Sequence, residues 1–270
     1  MPFTFSHPAA VLPFLDGVRA RGPLVASALV AGSMAPDLPF FAESVLPGVY
    51  RQGALTHRWW AVPTVDVALA AALVAGWHGL LRGPLVALLP EHLAGAAESM
   101  TARAGGAVSA ERAVWFAVSA ALGAATHVGW DGFTHQGRFG VSLLPVLDAR
   151  VADLPLYTVL QYGSSAVALV HLARYTAREA GRARPAAPEL RWGPGVRRSV
   201  VAALALAGAA GAAHRLARTE RGLIAATCFG AGAGLAVGAA GYATAVRLLT
   251  RGRRGRTAGG PTAQARWAAA

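Results

Sequence analysis

The residues best suited to chemistry in this sequence are histidines and aspartates that interrupt otherwise apolar stretches. The densest group lies in THVGWDGFTH, where His127, Asp131 and His135 follow one another at intervals of four. Residues four apart share one face of a helix, so His127 and Asp131 can point at the same ion. His135 extends this stripe if the helix continues past the two glycines of the motif.

Three motifs earlier in the chain add residues of the same kind: TFSHPA, SMAPDLP and LTHRWW. Imidazole nitrogens and carboxylate oxygens suit zinc, iron, nickel or manganese. The set provides enough ligands for two ions, and two ions can activate water and stabilise both oxygens of a displaced phosphate. The predicted metal ligands are His7, Asp37, His57, His127, Asp131 and His135.

The spacing alone leaves other interpretations open. A His and an Asp four residues apart can form a hydrogen-bonded cap where a helix leaves the membrane. The nearby Trp59, Trp60 and Trp130 fit an aromatic belt at that depth. Polar groups in apolar surroundings also serve proton or substrate transport. A transporter of that kind is expected to show inverted repeats, and none is visible in the sequence.

The elements that must position these residues are membrane helices. The 270 residues are 54% hydrophobic and 14% charged, with a mean hydropathy of +0.42, whereas soluble domains carry about 25% charged residues. Long runs of Ala, Leu and Val predict helices rather than the alternating strands of a barrel. We therefore predict an all-α polytopic membrane protein of about six helices, with short re-entrant or interfacial helices near the N terminus.

The apolar runs divide the chain into four regions. They are a membrane domain carrying the metal site at 1–175, an Arg- and Pro-rich loop at 176–198, C-terminal membrane helices at 199–249, and a disordered basic tail at 250–270. Within the first region, a short helix at 23–34 should stop at the APD triplet, because proline cannot continue a helix. The clearest predicted spans there are 62–81, 112–130 and 154–173.

The net charge is +12 because 25 basic residues outnumber 13 acidic ones. All 25 basic residues are arginines, since the sequence contains no lysine. Basic loops facing anionic lipid explain this charge better than nucleic acid does, because no basic patch with interleaved aromatic residues is present. We predict a multi-pass protein of the plasma membrane with its Arg clusters at 174–198 and 251–256 in the cytoplasm.

If the 101–112 loop, which carries Arg103 and Arg112, is also cytoplasmic, helix 112–130 runs outward and THVGWDGFTH emerges on the external face. Arg51 and Arg58 weaken this argument, so the sequence by itself does not decide which face carries the site.

At its polar motifs the sequence resembles known families. MPFTFSHPAAVLPFL, GSMAPDLPFF, LTHRWW, GAATHVGWDGFTH and LQYGSS resemble a bacterial membrane-protein family of unknown function, whose members begin MPFTFSHPAAVLP, over most of 1–175. The order of the His and Asp residues is similar to that of the membrane-bound metal-dependent hydrolase family. More distantly it resembles zinc-dependent phospholipase C. These resemblances imply a zinc site and hydrolysis of a phosphoester or lipid.

One departure from the phospholipase pattern limits the number of ions. That pattern has a further His-x-x-x-Glu/Asp pair downstream, whereas His171 is followed by Arg174 and Tyr175. The resemblance therefore implies one or two zinc ions rather than three.

Two polar residues of LQYGSS are candidates for supporting the site. Gln161 and Ser164 lie three apart on one helix face and could hydrogen-bond to the metal ligands, or equally join neighbouring helices. No catalytic residue is predicted, so enzyme activity stays open. The alternative to a hydrolase is a non-catalytic membrane protein with a structural His/Asp site.

Overall fold

The structure is a computed structural model that describes residues 3–103, 105, 109–219 and 222–258, with the backbone alone for 251–258. Its helices and strands are numbered in chain order. The α-helices are α1 Ala26–Met34, α2 Leu38–Ala42, α3 Gln52–Thr56, α4 Val65–Gly76, α5 Arg82–Val86, α6 Glu91–Met100, α7 Ala110–Thr134, α8 Phe139–Leu143, α9 Leu156–Arg182, α10 Pro194–Leu216 and α11 Leu223–Ala258.

Shorter elements join these helices. Two antiparallel ribbons pair β1 Leu15–Asp16 with β2 Arg19–Ala20, and β3 Arg150–Val151 with β4 Leu154–Pro155. A π-helical turn joins α4 to α5 so that the two form one continuous rod. The remaining elements are 3-10 helices at Thr4–Phe14, Ala35–Asp37, Val49–Arg51 and Pro145–Asp148, and the π turn at Trp77–Leu81.

The all-α prediction is confirmed, but the number of membrane-length helices is wrong. Among the described residues, four helices rather than about six are long and apolar enough to cross a membrane. They are Val65–Val86, Ala110–Thr134, Pro194–Leu216 and Leu223–Thr250. The predicted span at 154–173 lies in α9, whose apolar part is less hydrophobic than these four helices because it contains the polar residues of LQYGSS.

The Arg- and Pro-rich connection is shorter than the predicted loop at 176–198. Helix α9 continues to Arg182, and α10 starts at Pro194, where proline is favoured because the first helical N–H needs no partner. The last helix reaches Ala258. The rest of the predicted basic tail, 259–270, lies outside the described residues.

The core beside the site is built from small residues on α1, α4 and α7. Ala28, Ala31, Ala70 and Ala120 are buried together. Gly32 and Gly123 sit where a side chain would meet the backbone of the facing helix. Small residues let helix backbones approach closely, which is how helices associate in membranes where no water is expelled. The glycines therefore allow α1 to pack closely against α7.

Candidate metal centre

Helix α7 provides two residues of the site. Its first turn is capped by Ser109, whose hydroxyl accepts a hydrogen bond from the Arg112 amide at 3.2 Å. The helix continues through both glycines of the opening motif and ends at Thr134. His127 and Asp131 therefore share one helix face, as their spacing predicts, and both are buried.

Two short segments before α4 provide the other two residues. Helix α1 ends at Met34, and the following 3-10 turn places Asp37 directly before α2. His57 follows the last residue of α3. The Thr56 hydroxyl ties the two segments together, because it donates a 2.6 Å hydrogen bond to the Pro36 carbonyl. The segments that carry Asp37 and His57 are thus held together by the hydrogen bond of the Thr56 side chain.

The four side chains converge in a buried cluster. The His57 Nε2 atom lies 3.2 Å from Asp131 Oδ2 and 3.5 Å from Asp37 Oδ1. The His127 Nε2 atom lies 3.5 Å from Asp37 Oδ1 and 3.6 Å from Asp131 Oδ2. One potential ligand atom from each of the four residues lies within 4.8 Å of the others, an arrangement that can hold a metal ion.

Backbone carbonyls orient both imidazole rings toward the centre of this cluster. The Nδ1 atoms of His57 and His127 each lie 2.7 Å from a carbonyl oxygen, of Gly53 and Ser33 respectively. A carbonyl only accepts, so Nδ1 carries the proton in both rings. The lone pair of each neutral imidazole is then on Nε2, the atom that faces the carboxylates, as in histidine ligands held by an outer hydrogen bond.

Unpaired polar atoms at the centre fit the binding of a cation. Asp37 Oδ1, Asp131 Oδ1 and His127 Nε2 are buried and have no hydrogen-bond partner among the described residues. Burying such groups without partners costs several kcal/mol, roughly 1–3 for each lost hydrogen bond. A divalent ion would satisfy nitrogen and oxygen lone pairs together, and these donor types suit zinc.

The other two predicted ligands, His7 and His135, contact the opposite oxygen of Asp131. His7 Nε2 lies 3.5 Å and His135 Nδ1 lies 3.7 Å from Asp131 Oδ1. The His7 ring stacks on that of His127, with 3.6 Å between centroids. His135 follows the last helical residue in an extended conformation, so it does not continue the helical stripe. Asp131 therefore faces two pairs of histidines, one through each oxygen.

Burial and the neighbouring charges shift the pKa values of the site residues that lie outside the membrane-length helices. Burial lowers the pKa of His7 to about 3 and that of His135 to about 4, so both rings are neutral at pH 7. Burial opposes ionisation of Asp37, but the adjacent His127 and His57 hold its pKa below the ordinary value. Burial also opposes protonation of His57, but hydrogen bonds to Asp131 and Asp37 raise its pKa. A cation bound at His57 Nε2 would compete with protonation of that nitrogen.

Two polar residues near the cluster are absent from the sequence prediction. The Thr4 hydroxyl donates a 2.5 Å hydrogen bond to Asp37 Oδ2, and its only signal was its place three residues before His7. Asp66 lies in the first turn of α4, fully buried, and interacts electrostatically with His57 and His127. Neither Asp66 oxygen has a hydrogen-bond partner within the described residues. Its signal was a charged residue inside the apolar stretch VPTVDVALAAALV.

The predicted supporting residues have different positions on α9. Ser164 accepts a 3.1 Å hydrogen bond from the Trp130 indole, so it contacts the neighbour of Asp131 rather than a predicted ligand. Gln161 is buried on the same helix. The neighbouring Ser165 accepts a 3.0 Å hydrogen bond from the Phe3 amide. Helix α9 thus holds the N-terminal segment that carries His7.

We expect His57→Ala to weaken metal binding far more than His135→Ala. The His57 nitrogen reaches both carboxylates, whereas His135 reaches only Asp131 and its side chain is 18% exposed. Loss of His57 should lower affinity by more than the roughly 10–100-fold typical of outer hydrogen-bonding partners, and loss of His135 by about tenfold or less. Calorimetric titration of chelator-treated protein with Zn²⁺ measures both. Equal losses would show that the two histidines contribute alike.

Together these features define a helical protein that has four described helices long and apolar enough to cross a membrane and a buried His/Asp cluster that could hold a metal ion. The chain belongs to the family described as "Domain of unknown function (DUF4184)", whose family model matches residues 1–244. Comparisons with curated proteins and with solved structures found no match.

The match is consistent with the predicted family of unknown function and extends beyond the predicted 1–175, while the characteristic start of that family's members stays a prediction. The C-terminal helices within the matched range contact the site segment directly. Arg215 on α10 donates to the Phe40 carbonyl and to the Ser44 hydroxyl, and Phe229 on α11 packs on Phe40. The likeness to metal-dependent hydrolases stays a prediction.

Proposed function

We propose that this protein is a membrane-bound metal-dependent hydrolase that acts on a phosphoester, with zinc as its metal. The supporting observation is the position of Asp131, which faces His57 and His127 through Oδ2 and His7 and His135 through Oδ1. A structural zinc site is complete with four ligands. The six His and Asp side chains gathered here, Asp131 included, exceed that number and are enough for two ions.

The residues divide naturally between the two ions. Asp37, His57, His127 and Asp131 would hold the first. His7 with Asp131 would hold the second, where His135 would be the weakest ligand because its Nδ1 already lies 3.1 Å from the Asp131 backbone carbonyl. When bound, the metal would supply Lewis acidity toward the phosphoryl oxygen and would activate water as the nucleophile. Thr4 positions Asp37 through its 2.5 Å hydrogen bond, which leaves Asp37 Oδ1 directed at the cluster.

Asp66 is our candidate for the proton acceptor. It is a fully buried carboxylate without a hydrogen-bond partner among the described residues, and it interacts electrostatically with two cluster histidines. An unpartnered buried carboxylate is destabilising, so a structural role does not explain it. Taking up a proton released during hydrolysis would neutralise its charge. General acid–base catalysis of this kind contributes roughly 10²–10⁴-fold to a rate.

The surroundings of the cluster favour a substrate carried by the membrane. Helix α7 ends and α4 begins next to the site, so the intervening loops lie where two spans leave the membrane. Exposed aromatic rings occur on these loops: Trp59 and Trp60 are each about half exposed, and the Trp59 ring lies 5.7 Å from that of Phe139. Aromatic side chains favour the lipid headgroup region. A phospholipid would present its phosphate at this depth.

A structural metal site is the second candidate, and burial is the observation that favours it. The four clustered residues are each at most 5% exposed, and closed four-ligand sites are typically structural. In that case the ion would fasten the N-terminal segment to α7. If the site is catalytic instead, a substrate would have to enter past His135, which is partly exposed.

Hydrolysis of a soluble phosphodiester, bis(p-nitrophenyl) phosphate, by the zinc-loaded full-length protein tests the proposal. We expect turnover that chelator abolishes and added Zn²⁺ restores. Asp66→Asn should retain metal and lose about 100-fold in rate, since it removes the proton acceptor without changing the predicted ligands. His78→Asn, on the same rod in the membrane, is the control and should retain activity. Stoichiometric metal with no turnover would establish the structural site instead.

A further inference from the structure

The long helices of the structure have two distinct ends, and contacts show which segments meet at each. At the end that holds the His/Asp cluster, called here the site end, α4 begins and α7 terminates. The last turn of α10 also reaches this end, because Arg215 donates a 2.9 Å hydrogen bond to Ser44. The start of α11 lies there too, since Phe229 packs on Phe41 with 4.9 Å between ring centroids.

The opposite end, called here the basic end, gathers the segment between α9 and α10. The Ala186 amide donates to the Gly95 carbonyl of α6 at 3.0 Å. The Trp192 indole donates to the Tyr242 hydroxyl at 2.7 Å, and that hydroxyl donates to the Pro84 carbonyl at 3.1 Å. The start of α10 and the C-terminal parts of α5 and α11 therefore lie on the same side of the protein.

Helix α9 and the N-terminal segment each run between the site end and the basic end. Ser164 on α9 contacts Trp130, the neighbour of Asp131. About three turns further along, the Tyr175 hydroxyl donates a 2.7 Å hydrogen bond to the Gly17 carbonyl in the β1–β2 turn. The chain thus starts near the cluster, runs to the basic end, and returns in α1, whose Ser33 carbonyl meets His127.

The two ends differ in positive charge. The basic end receives the segment 174–198, with seven arginines, and the sequence directly after the last span, 251–256, adds four. Among the described residues, the three connections at the site end, 35–64, 135–155 and 217–219, carry five arginines, and Arg215 in the last turn of α10 adds a sixth. Arginines in short segments close to membrane spans set orientation, with the richer side in the cytoplasm, and acidic residues contribute little to this bias.

From this pairing of helix ends with charge we infer that the basic end faces the cytoplasm and the His/Asp cluster opens on the extracytoplasmic side of the membrane. The sequence alone left the face undecided because it did not show which loops lie together. The orientation itself does not depend on the proposed function. Only its consequence for the substrate rests on that function: the phosphoester would reach the site from outside the cytoplasm. The metal would likewise be acquired on that side.

Cysteine labelling in spheroplasts tests this orientation on the full-length protein. The natural Cys228 is replaced by serine, and single cysteines are placed at Val151, which is exposed in β3 at the site end, or at Ala187, which is exposed at the basic end. We expect a membrane-impermeant maleimide to label Val151→Cys in intact spheroplasts and Ala187→Cys only after permeabilisation. Labelling of Ala187→Cys in intact spheroplasts, alone or with Val151→Cys, would overturn the inference.

A second arm separates this inference from the proposed hydrolase activity. Bis(p-nitrophenyl) phosphate added to intact spheroplasts should be hydrolysed as fast as after permeabilisation if the site opens outside. Turnover only after permeabilisation would contradict the inference while supporting the hydrolase. The expected labelling pattern without turnover in either state would support the orientation and contradict the proposed function.

Discussion

Asp131→Ala is expected to remove bound metal almost completely, to below a tenth of the wild-type content. Asp131 is the residue on which the cluster converges: four histidine nitrogens lie between 3.2 and 3.7 Å from its two oxygens. Its loss takes a negatively charged ligand from both proposed ions and leaves the histidines facing only Asp37. Elemental analysis of protein purified without chelator measures the metal directly.

The matched control for this change is Asp148→Ala, which removes an exposed carboxylate from the loop that follows α8. We expect it to retain wild-type metal. Asp131→Asn keeps the shape of the side chain and removes only its charge. It therefore serves as a second variant in case Asp131→Ala fails to fold. Metal that persists in Asp131→Ala at the wild-type level would refute the assignment of this residue, and a metal-free wild type would refute the metal centre as a whole.

Gly123→Ala should destabilise the protein and weaken its metal site together. A Cβ atom at this position would meet the Leu29 carbonyl and the Ser33 amide on α1, so α1 would have to move away from α7. Overpacking of this kind costs roughly 1–3 kcal/mol. It would also displace Ser33, whose carbonyl lies 2.7 Å from His127 Nδ1 and orients the ring. Thermal unfolding in detergent and zinc titration measure the two effects.

Gly129→Ala is the control on the same helix. A Cβ atom there has no neighbouring atom within 4 Å, and alanine favours a helix over glycine by about 1 kcal/mol. We therefore expect Gly129→Ala to raise the unfolding temperature while Gly123→Ala lowers it. If both variants unfold above the wild type, the tight crossing of α1 and α7 does not hold the site in the way that the contacts indicate.

The sequence was most informative where a local pattern has a direct physical consequence. Apolar composition predicted helices, because unpaired backbone groups are costly in lipid, and Pro36 marked the end of α1. The spacing of His127 and Asp131 placed them on one helix face. The predicted count of about six exceeds the four described helices that are clearly apolar enough to cross a membrane. Helix α9, which connects the two ends of the molecule, is less apolar because it carries polar residues that contact the N-terminal segment and Trp130.

What the sequence determined by itself is the chemical inventory: histidines and aspartates in apolar surroundings, on helices that belong in a membrane. The tertiary structure decided which of them meet. Asp37, His57 and His127 converge because α1 packs on α7 through glycine, a contact between segments more than 90 residues apart. His135 lies at the edge of the cluster for a local reason, because α7 ends at Thr134 and His135 is extended. Spacing specifies a helix face, whereas long-range packing sets which faces share a site.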